Sequence, residues 1–271
     1  MATDAALRPL APGPLLRIGC GALTVDIAPQ AGGRLAQVAF DGVDWLVGHD
    51  AGHAATIAWG SYPMLPWAGR VRHGRFDFRG RHCQLPVDLG AHAIHGIGLG
   101  LPWQVEEQAP TRAVLALRLP EDVRWPFGGS ARQCIEAGER RLRLTLTLDA
   151  GTQAMPAVLG WHPWFQKPDT LDFRPDRYYP RDAEGIVQLP LRDPPPGPWD
   201  DCFVNREPVL LRRGGQCLRL SSDCDHWVVY DEAAHATCVE PQSGPPDAFN
   251  LGLARVLEPG ETLSAGFLWE W

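Results

Sequence analysis

Two ionisable residues lie in sequence settings that suit proton transfer. Glu240, in 238-CVEP-241, follows an apolar pair at the predicted end of a strand, where Pro241 stops regular pairing. Partial desolvation there raises the pKa of a carboxyl toward the range of a general base. His162, in 160-GWHPWF-165, can titrate near neutral pH and donate a proton, and its aromatic neighbours suit the apolar face of a sugar ring. The alternatives are a water-facing glutamate and a buried histidine bonded to a carbonyl oxygen.

Two further residues could hold a polar ligand. Arg70 lies between a turn rich in Pro and Trp and the strand-like 74-GRFDF-78, where its guanidinium could bind two neighbouring hydroxyls, or be solvated or paired with Asp77. His95 precedes a glycine, which lets the backbone come close to a ligand. His92 and His95 form an HxxH pair, but no nearby acid or cysteine completes a tetrahedral metal set, so we predict no metal site.

Several common catalytic signatures are missing from the sequence. There is neither the GxSxG motif of hydrolases nor a GxxxxGK[ST] phosphate loop. The segment 96-GIGLG-100 has no glycine at the last position of a GxGxxG motif, which is Leu101. It also lacks the strand-to-helix setting of a dinucleotide site. A carboxylate pair for glycoside hydrolysis stays open, since Glu240 and either Asp200 or Asp201 could face one cleft.

The elements that position these residues are predicted to be strands. In 140-RRLRLTLTLDA-150 leucines alternate with polar residues, which is the pattern of a half-buried antiparallel strand. Similar runs, separated by turn-type residues, occur at 23–27, 34–40, 112–119, 217–222, 226–230 and 262–271. The best short helix candidate is 50-DAGHAATIAW-59. We therefore predict an all-β antiparallel sandwich, in one domain spanning residues 1–271.

Composition narrows the class of protein and its partners. The net charge of −7 opposes binding to nucleic acid or to an anionic membrane, and no apolar run is long enough for a membrane-spanning helix. The seven cysteines form no CxxC pair and are odd in number, which argues against a disulfide framework. The first residues do not have the pattern of a signal peptide. We therefore expect a cytoplasmic protein.

The motifs, taken in order, resemble those of the aldose 1-epimerase (galactose mutarotase) family. The resemblance covers residues 20 to 271, and each motif is short, but five occur in the family's order and spacing. They are Arg70 before 74-GRFDF-78, 95-HG-96, 162-HPWF-165, 200-DDCF-203 and 240-EPQSGPPDAFN-250. Two departures are Gly69, where the family commonly has asparagine before the arginine, and the Pro-Trp pair after His162.

The resemblance implies a large antiparallel β-supersandwich and a mutarotase that interconverts the α and β anomers of a free aldose. It implies Glu240 as the base, His162 as the acid, and Arg70, His95 and Asp200 as substrate-binding residues, with Asp201 as the rival of Asp200. A small sugar would be the partner, no metal or other cofactor would be needed, and the protein would be a monomer or homodimer.

Two other functions stay open from the sequence. One is a mutarotase for hexose 6-phosphates or other anionic sugars, for which Arg70, Arg72, His73 and Arg75 offer a local basic cluster. The other is a carbohydrate-binding module without catalytic activity on the same fold.

Overall fold

The structure is a computed structural model that describes residues 4–50 and 52–271, and strands dominate it. The strands are β1 (Leu16–Cys20), β2 (Leu23–Ala28), β3 (Arg34–Phe40), β4 (Val43–Asp44), β5 (Ser61–Met64), β6 (Arg70–Val71), β7 (Arg75–Phe78), β8 (Arg81–Gln84), β9 (Ala93–Ile94), β10 (Gln104–Ala109), β11 (Arg112–Arg118), β12 (Ser130–Gly138), β13 (Arg141–Asp149), β14 (Met155–Ala157), β15 (Gly160–Gln166), β16 (Thr170–Asp172), β17 (Arg177–Tyr179), β18 (Asp200–Val204), β19 (Val209–Arg213), β20 (Gln216–Ser222), β21 (His226–Tyr230), β22 (Ala236–Gln242), β23 (Arg255–Leu257) and β24 (Thr262–Glu270).

Helical structure in the described residues is short. A single turn of α-helix, α1, covers Ala248–Leu251, and 3₁₀ turns cover Ala5–Leu7, Pro29–Ala31, Arg72–Gly74 and Gly98–Gly100. None of these helices is long and apolar enough to cross a bilayer.

Two antiparallel sheets form the body of the fold, which confirms the predicted fold class. The first has ten strands in the order β1-β2-β3-β5-β15-β22-β21-β18-β17, with β4 paired to β3. The second has eight, in the order β10-β11-β12-β13-β24-β20-β19-β16. Short two-stranded sheets pair β6 with β9, β7 with β8 and β14 with β23.

The main core lies between the two large sheets. The alternating leucines of β13, such as Leu144, are fully buried in it, as the pattern of the sequence predicts. Trp161 of the ten-stranded sheet contacts Phe267 of the eight-stranded sheet, with ring centroids 5.7 Å apart. Because successive residues of a strand face opposite sides, the neighbours of Trp161 on β15 point away from this core.

The predicted helix at 50–59 is wrong. The described part of this segment forms turns, bends and an isolated bridge between Pro9 and Ala55. The Asp50 carboxylate accepts hydrogen bonds from the backbone N–H groups of Gly52 and His53, at 2.7 and 2.9 Å. Such local side-chain bonds stabilise a turn in competition with a helix.

Candidate active site

The predicted acid and base lie side by side on the face of the ten-stranded sheet opposite the main core. Strands β15 and β22 are neighbours, with Gly160 opposite Gln242 and Trp164 opposite Cys238. This register places His162 opposite Glu240, on the same face of the sheet. The two residues are separated by almost eighty positions of sequence, so their meeting is a product of strand order and register.

Prolines follow both residues and shape the sheet at this point. Pro163 and Pro241 cannot donate to a strand ladder, and the Cα pairs between β15 and β22 skip the positions of His162 and Glu240. The expectation that Pro241 ends the strand is wrong. It still pairs with Trp227 of β21, and the strand continues to Gln242 because pairing on that side persists.

The two side chains are in direct contact and almost fully buried. His162 Nε2 lies 3.2 Å from Glu240 Oε1, and the residues are 6% and 2% exposed. Gln242 Nε2 donates a 3.3 Å hydrogen bond to Glu240 Oε2, while Gln242 Oε1 and His162 Nδ1 have no partner among the described residues. The carboxyl is therefore held between an imidazole and an amide.

Burial favours the uncharged form of each group. It raises the pKa of Glu240 well above its ordinary value, Asp200 raises it further, and Gln242 and Arg70 act in the opposite direction. Burial lowers the pKa of His162 to about 3. The raised pKa of Glu240 agrees with the sequence-based expectation. The expectation that His162 titrates near neutral pH is wrong, because the ring is enclosed.

Two aromatic rings pack against the imidazole of His162. Tyr62 of β5 stacks on it with centroids 4.8 Å apart, and Trp164 stacks on it at 5.3 Å. Trp164 anchors its ring by a 2.7 Å hydrogen bond from Nε1 to the carbonyl of Ile57. Of the two tryptophans that flank the histidine, Trp164 thus faces the candidate site and Trp161 faces the core.

His95 follows β9 and is positioned by its backbone. Its Nδ1 accepts a 3.3 Å hydrogen bond from the N–H of Gly69, and its ring meets that of His162 edge to face at 4.9 Å. Burial lowers the pKa of His95 well below its ordinary value, and His162 and Arg70 lower it further. With Nδ1 accepting, the neutral ring carries its proton on Nε2, which makes it a hydrogen-bond donor.

Gly96, which follows His95, and Gly69, which precedes Arg70, let the backbone pack closely against neighbouring segments. A Cβ on Gly96 would lie 1.9 Å from the carbonyl oxygen of Leu65, so Gly96 permits a close approach to protein backbone, not to a ligand as the sequence suggested. Gly69 has φ +66°, and a Cβ there would lie 2.5 Å from Pro246. The side chain that the family commonly has at Gly69 therefore does not fit this backbone.

Arg70, on β6, lines the same cavity as His95 and Glu240. Its guanidinium has no ion-pair partner in the described part of the chain, and Asp77, the alternative partner, contacts His82.

The predicted basic cluster does not assemble around Arg70. Arg72 and His73 contact the carboxylate of Glu184, and the exposed Arg75 bonds to Gln84. These residues turn toward acids and amides outside the cavity, so only Arg70 of the four faces it.

Asp200 and Asp201 both contact an arginine that the sequence analysis missed. Arg181 Nη1 lies 2.5 Å from Asp200, and its Nε lies 3.1 Å from Asp201. Asp200 and Cys202 lie on the same face of β18. Cys202 is opposite Val228 of β21, and Val228 is opposite Glu240 of β22. Asp200 therefore lies on the same face of the sheet as His162 and Glu240, and both Asp200 and Asp201 line the cavity.

These side chains surround one cavity of about 390 Å³, a size that suits a small ligand. Its floor is the row of His162, Glu240 and Val228 on neighbouring strands, and its walls carry Arg70, His95 and residues around Arg181. A larger groove of about 1200 Å³ opens on the eight-stranded sheet, but no histidine or cysteine lines it. Of these two cavities, the smaller one thus combines histidines with a buried carboxyl.

Both histidines of the HxxH pair bond to the backbone through Nδ1. His92 Nδ1 accepts a 3.1 Å hydrogen bond from the backbone N–H of His73, and His95 Nδ1 is likewise bonded to Gly69. Each ring therefore supports a turn of the backbone.

The match to known proteins agrees with this arrangement. The sequence profile of the aldose 1-epimerase family matches residues 14–268, which is nearly the whole chain. The chain belongs to the aldose 1-epimerase family. The match confirms the resemblance inferred from the short motifs, and those motifs supply the residues that surround the cavity.

Relatives of this aldose 1-epimerase family member are distant in sequence and close in fold. The Escherichia coli (strain K12) protein YihR is 25% identical over 277 residues, which cover 88% of this chain and 89% of YihR. The GalM/aldose epimerase homologue from C. elegans has a TM-score of 0.81 at 18% identity, covering 95% of this chain and 98% of that one. A galactose 1-epimerase from Lactobacillus acidophilus NCFM has a TM-score of 0.77 at 18% identity, with 92% and 91% covered. These structures confirm the galactose mutarotase-like sandwich.

Three residues of the site were not assigned a role from the sequence. Gln242 was part of a recognised motif, and its position two residues after Glu240 on a strand could have shown that both share a face. Tyr62 lies just before the turn, rich in Pro and Trp, that precedes Arg70. Arg181 gave no local signal, because its partners Asp200 and Asp201 follow some twenty residues later on another strand.

Proposed function

We propose that this protein interconverts the α and β anomers of a free aldose by general acid and base catalysis. The contact between Glu240 Oε1 and His162 Nε2, at 3.2 Å on the floor of the cavity, carries the proposal. Anomer exchange opens the sugar ring, and the two oxygens that exchange protons are bonded to the same carbon. An acid and a base that serve both oxygens must therefore be neighbours, as these two groups are.

The proposed reaction has three steps. Glu240 takes the proton of the anomeric hydroxyl while His162 gives a proton to the ring oxygen, and the bond between the anomeric carbon and the ring oxygen breaks. The open-chain aldehyde then rotates about the bond next to its carbonyl group. Reclosure reverses both proton transfers and yields the other anomer, so no cofactor or covalent intermediate is required.

The proton that the pair shares must lie on His162 before the sugar ring opens. Burial favours the neutral pair in the resting protein, because it raises the pKa of Glu240 and lowers that of His162. The charged pair therefore forms by an uphill proton transfer from Glu240 to His162 before the three steps begin. Ring opening then converts the carboxylate and imidazolium back into a carboxylic acid and a neutral imidazole, which is the direction that burial favours. Arg70 and Gln242, which favour ionised Glu240, lower the cost of forming the charged pair.

The other predicted site residues suit the hydroxyl groups of a sugar. Arg70 offers unpaired N–H donors, His95 offers a donor at Nε2, and Asp200 offers acceptor oxygens. The exposed part of the Trp164 ring gives an apolar surface for one face of the sugar. Together they would hold the open chain until it closes.

The charges around the cavity favour a neutral sugar over an anionic one. Two arginines line it, Arg70 and Arg181, against four acids: Asp200, Asp201, Glu232 and Glu240. Arg181 is already engaged by both aspartates. Because Arg181 engages Asp200 and Asp201, these aspartates are less suited to form the carboxylate pair of a glycoside hydrolase with Glu240. The ion pairs therefore favour His162 as the partner of Glu240.

Anomer exchange measured by NMR tests the proposal. The wild-type protein should accelerate exchange of neutral aldoses such as galactose and glucose, and of glucose 6-phosphate much less. Faster exchange of the phosphorylated sugar, with inhibition by free phosphate, would instead favour the anionic substrate class. Binding of a sugar without any acceleration would refute the enzyme and favour a carbohydrate-binding module.

A further inference from the structure

Three side chains of different ligand types meet beside the floor of the cavity, which His162 and Glu240 line. A ring nitrogen of His162, Sγ of Cys238 and a carboxylate oxygen of Glu240 all lie within 4.8 Å of one another. Cys238 and Glu240 are two residues apart on β22, so they share a face of the sheet, and His162 lies opposite on β15. Cys238 is fully buried and has no place in the proposed proton transfer.

This set matches the ligand preference of zinc. Zinc binds imidazole nitrogen, thiolate sulfur and carboxylate oxygen at roughly 2.0–2.3 Å, which places neighbouring ligand atoms of a tetrahedral site roughly 3.5 Å apart. The imidazole nitrogen and the carboxylate oxygen are already 3.2 Å apart, and the sulfur lies within 4.8 Å of a ligand atom of each. Calcium and magnesium prefer oxygen ligands only and are disfavoured by the thiol.

Charge balance also favours a divalent ion here. One zinc ion with one thiolate and one carboxylate leaves the buried site without net charge, which avoids the cost of an isolated buried ion. On coordination the thiol loses its proton to solvent, as metal ligation by cysteine requires.

A second, independent feature points to a ligand at this place. The side-chain oxygen of Gln242 is buried, lines the cavity and lacks a hydrogen-bond partner in the described residues, while its amide nitrogen contacts Glu240. Orphaned buried acceptors are rare, and this one is free to bond a water carried by an ion. Because His162, Glu240 and Gln242 all border the cavity, an ion can reach them from solvent.

We propose that zinc-class divalent cations bind His162, Cys238 and Glu240 and thereby block the cavity floor. The ion occupies the nitrogen and oxygen lone pairs that proton transfer needs, so it acts as an inhibitor in competition with the sugar. The binding site stands independently of the enzyme activity, whereas the inhibition rests on the proposed function.

Direct metal binding tests the site without any activity measurement. Wild-type protein, Cys238→Ser and Cys202→Ser would be titrated with Zn²⁺ by calorimetry, and with Co²⁺ by absorption, where a cobalt–thiolate bond gives a charge-transfer band. Cys202 is the matched control, because it is a buried thiol that lines the cavity and lies outside the cluster. We expect the band in wild type and Cys202→Ser, and its loss in Cys238→Ser with zinc affinity lowered about 100-fold. An unchanged band or affinity in Cys238→Ser overturns the proposal.

Anomer exchange with and without Zn²⁺ tests the inhibition. Cys238→Ser should keep its metal-free rate, and at a zinc concentration that slows the wild type about tenfold it should slow less than about twofold. Equal inhibition of both proteins overturns the proposal. If the wild type shows no exchange activity at all, the proposed function fails, while calorimetry and the cobalt band still decide the metal site. If circular dichroism shows that Cys238→Ser is unfolded, Cys238→Ala is used in its place.

Discussion

Replacing His162 by asparagine tests whether the buried imidazole is neutral in the folded protein. Its pKa is lowered to about 3 by burial, whereas in the unfolded chain it has the ordinary value near 6.5. Between these two values the unfolded state binds a proton that the folded state does not. His162 therefore lowers the free energy of unfolding progressively as pH falls from about 6.5 toward about 3.

The size of this effect follows from the shift. The cost is about 1.4 kcal/mol for each pH unit below about 6.5, where the unfolded chain binds the proton. Acidification from pH 7.5 to pH 4.5 covers about two such units and should therefore cost roughly 2.7 kcal/mol through His162 alone. The full shift would cost about 5 kcal/mol at still lower pH. These values are a substantial fraction of the roughly 5–15 kcal/mol by which a typical domain is stable.

Urea unfolding at pH 7.5 and pH 4.5 would measure it. We expect the wild type to lose roughly 2–3 kcal/mol more on acidification than His162→Asn. His82, whose side chain is 91% exposed, supplies the control, and His82→Asn should behave as the wild type does. Equal losses in wild type and His162→Asn would refute the assignment of a neutral buried imidazole.

Further substitutions separate positioning, binding and packing. Gln242→Leu removes the amide that donates to the catalytic carboxyl, so kcat should fall about ten- to a hundredfold with little change in KM; a pure KM effect would contradict this role. Arg70→Met should raise KM about tenfold or more in exchange kinetics, whereas the exposed Arg75→Met should not, and equal effects would argue against Arg70 as a sugar ligand. Gly96→Ala should lower the free energy of unfolding by about 3 kcal/mol or more, because its Cβ would overlap a carbonyl oxygen. Gly90→Ala, with a similar φ and open space around it, should cost clearly less in the same unfolding experiment, and equal costs would refute the packing argument.

The strands could be predicted well from the sequence because their alternation is local. The runs at 34–40 and 226–230 coincide with β3 and β21, and 140–150 contains β13. The segment at 50–59 failed because a side-chain bond of Asp50 stabilises a turn, which residue preference alone does not reveal. The expectation of a single domain stays a prediction.

The site was predictable in its residues but not in its environment. The motifs named Glu240 and His162, yet only the register of β15 and β22 brings them to 3.2 Å. Burial of His162 depends on Tyr62, which lies a hundred residues earlier, so the lowered pKa could not be inferred from its neighbours in sequence. The role of Arg181 likewise arises from pairing between distant segments.

The central claim is that Glu240 acts as the base in anomer exchange. NMR exchange rates of a neutral aldose would be compared for the wild type, Glu240→Gln, and Glu136→Gln on β12 of the other sheet, with the fold of each checked by circular dichroism. Glutamine keeps the size of the side chain and removes its basicity. We predict that Glu240→Gln lowers the rate about 10²–10⁴-fold while Glu136→Gln leaves it unchanged. A folded Glu240→Gln protein as active as the wild type would contradict the claim.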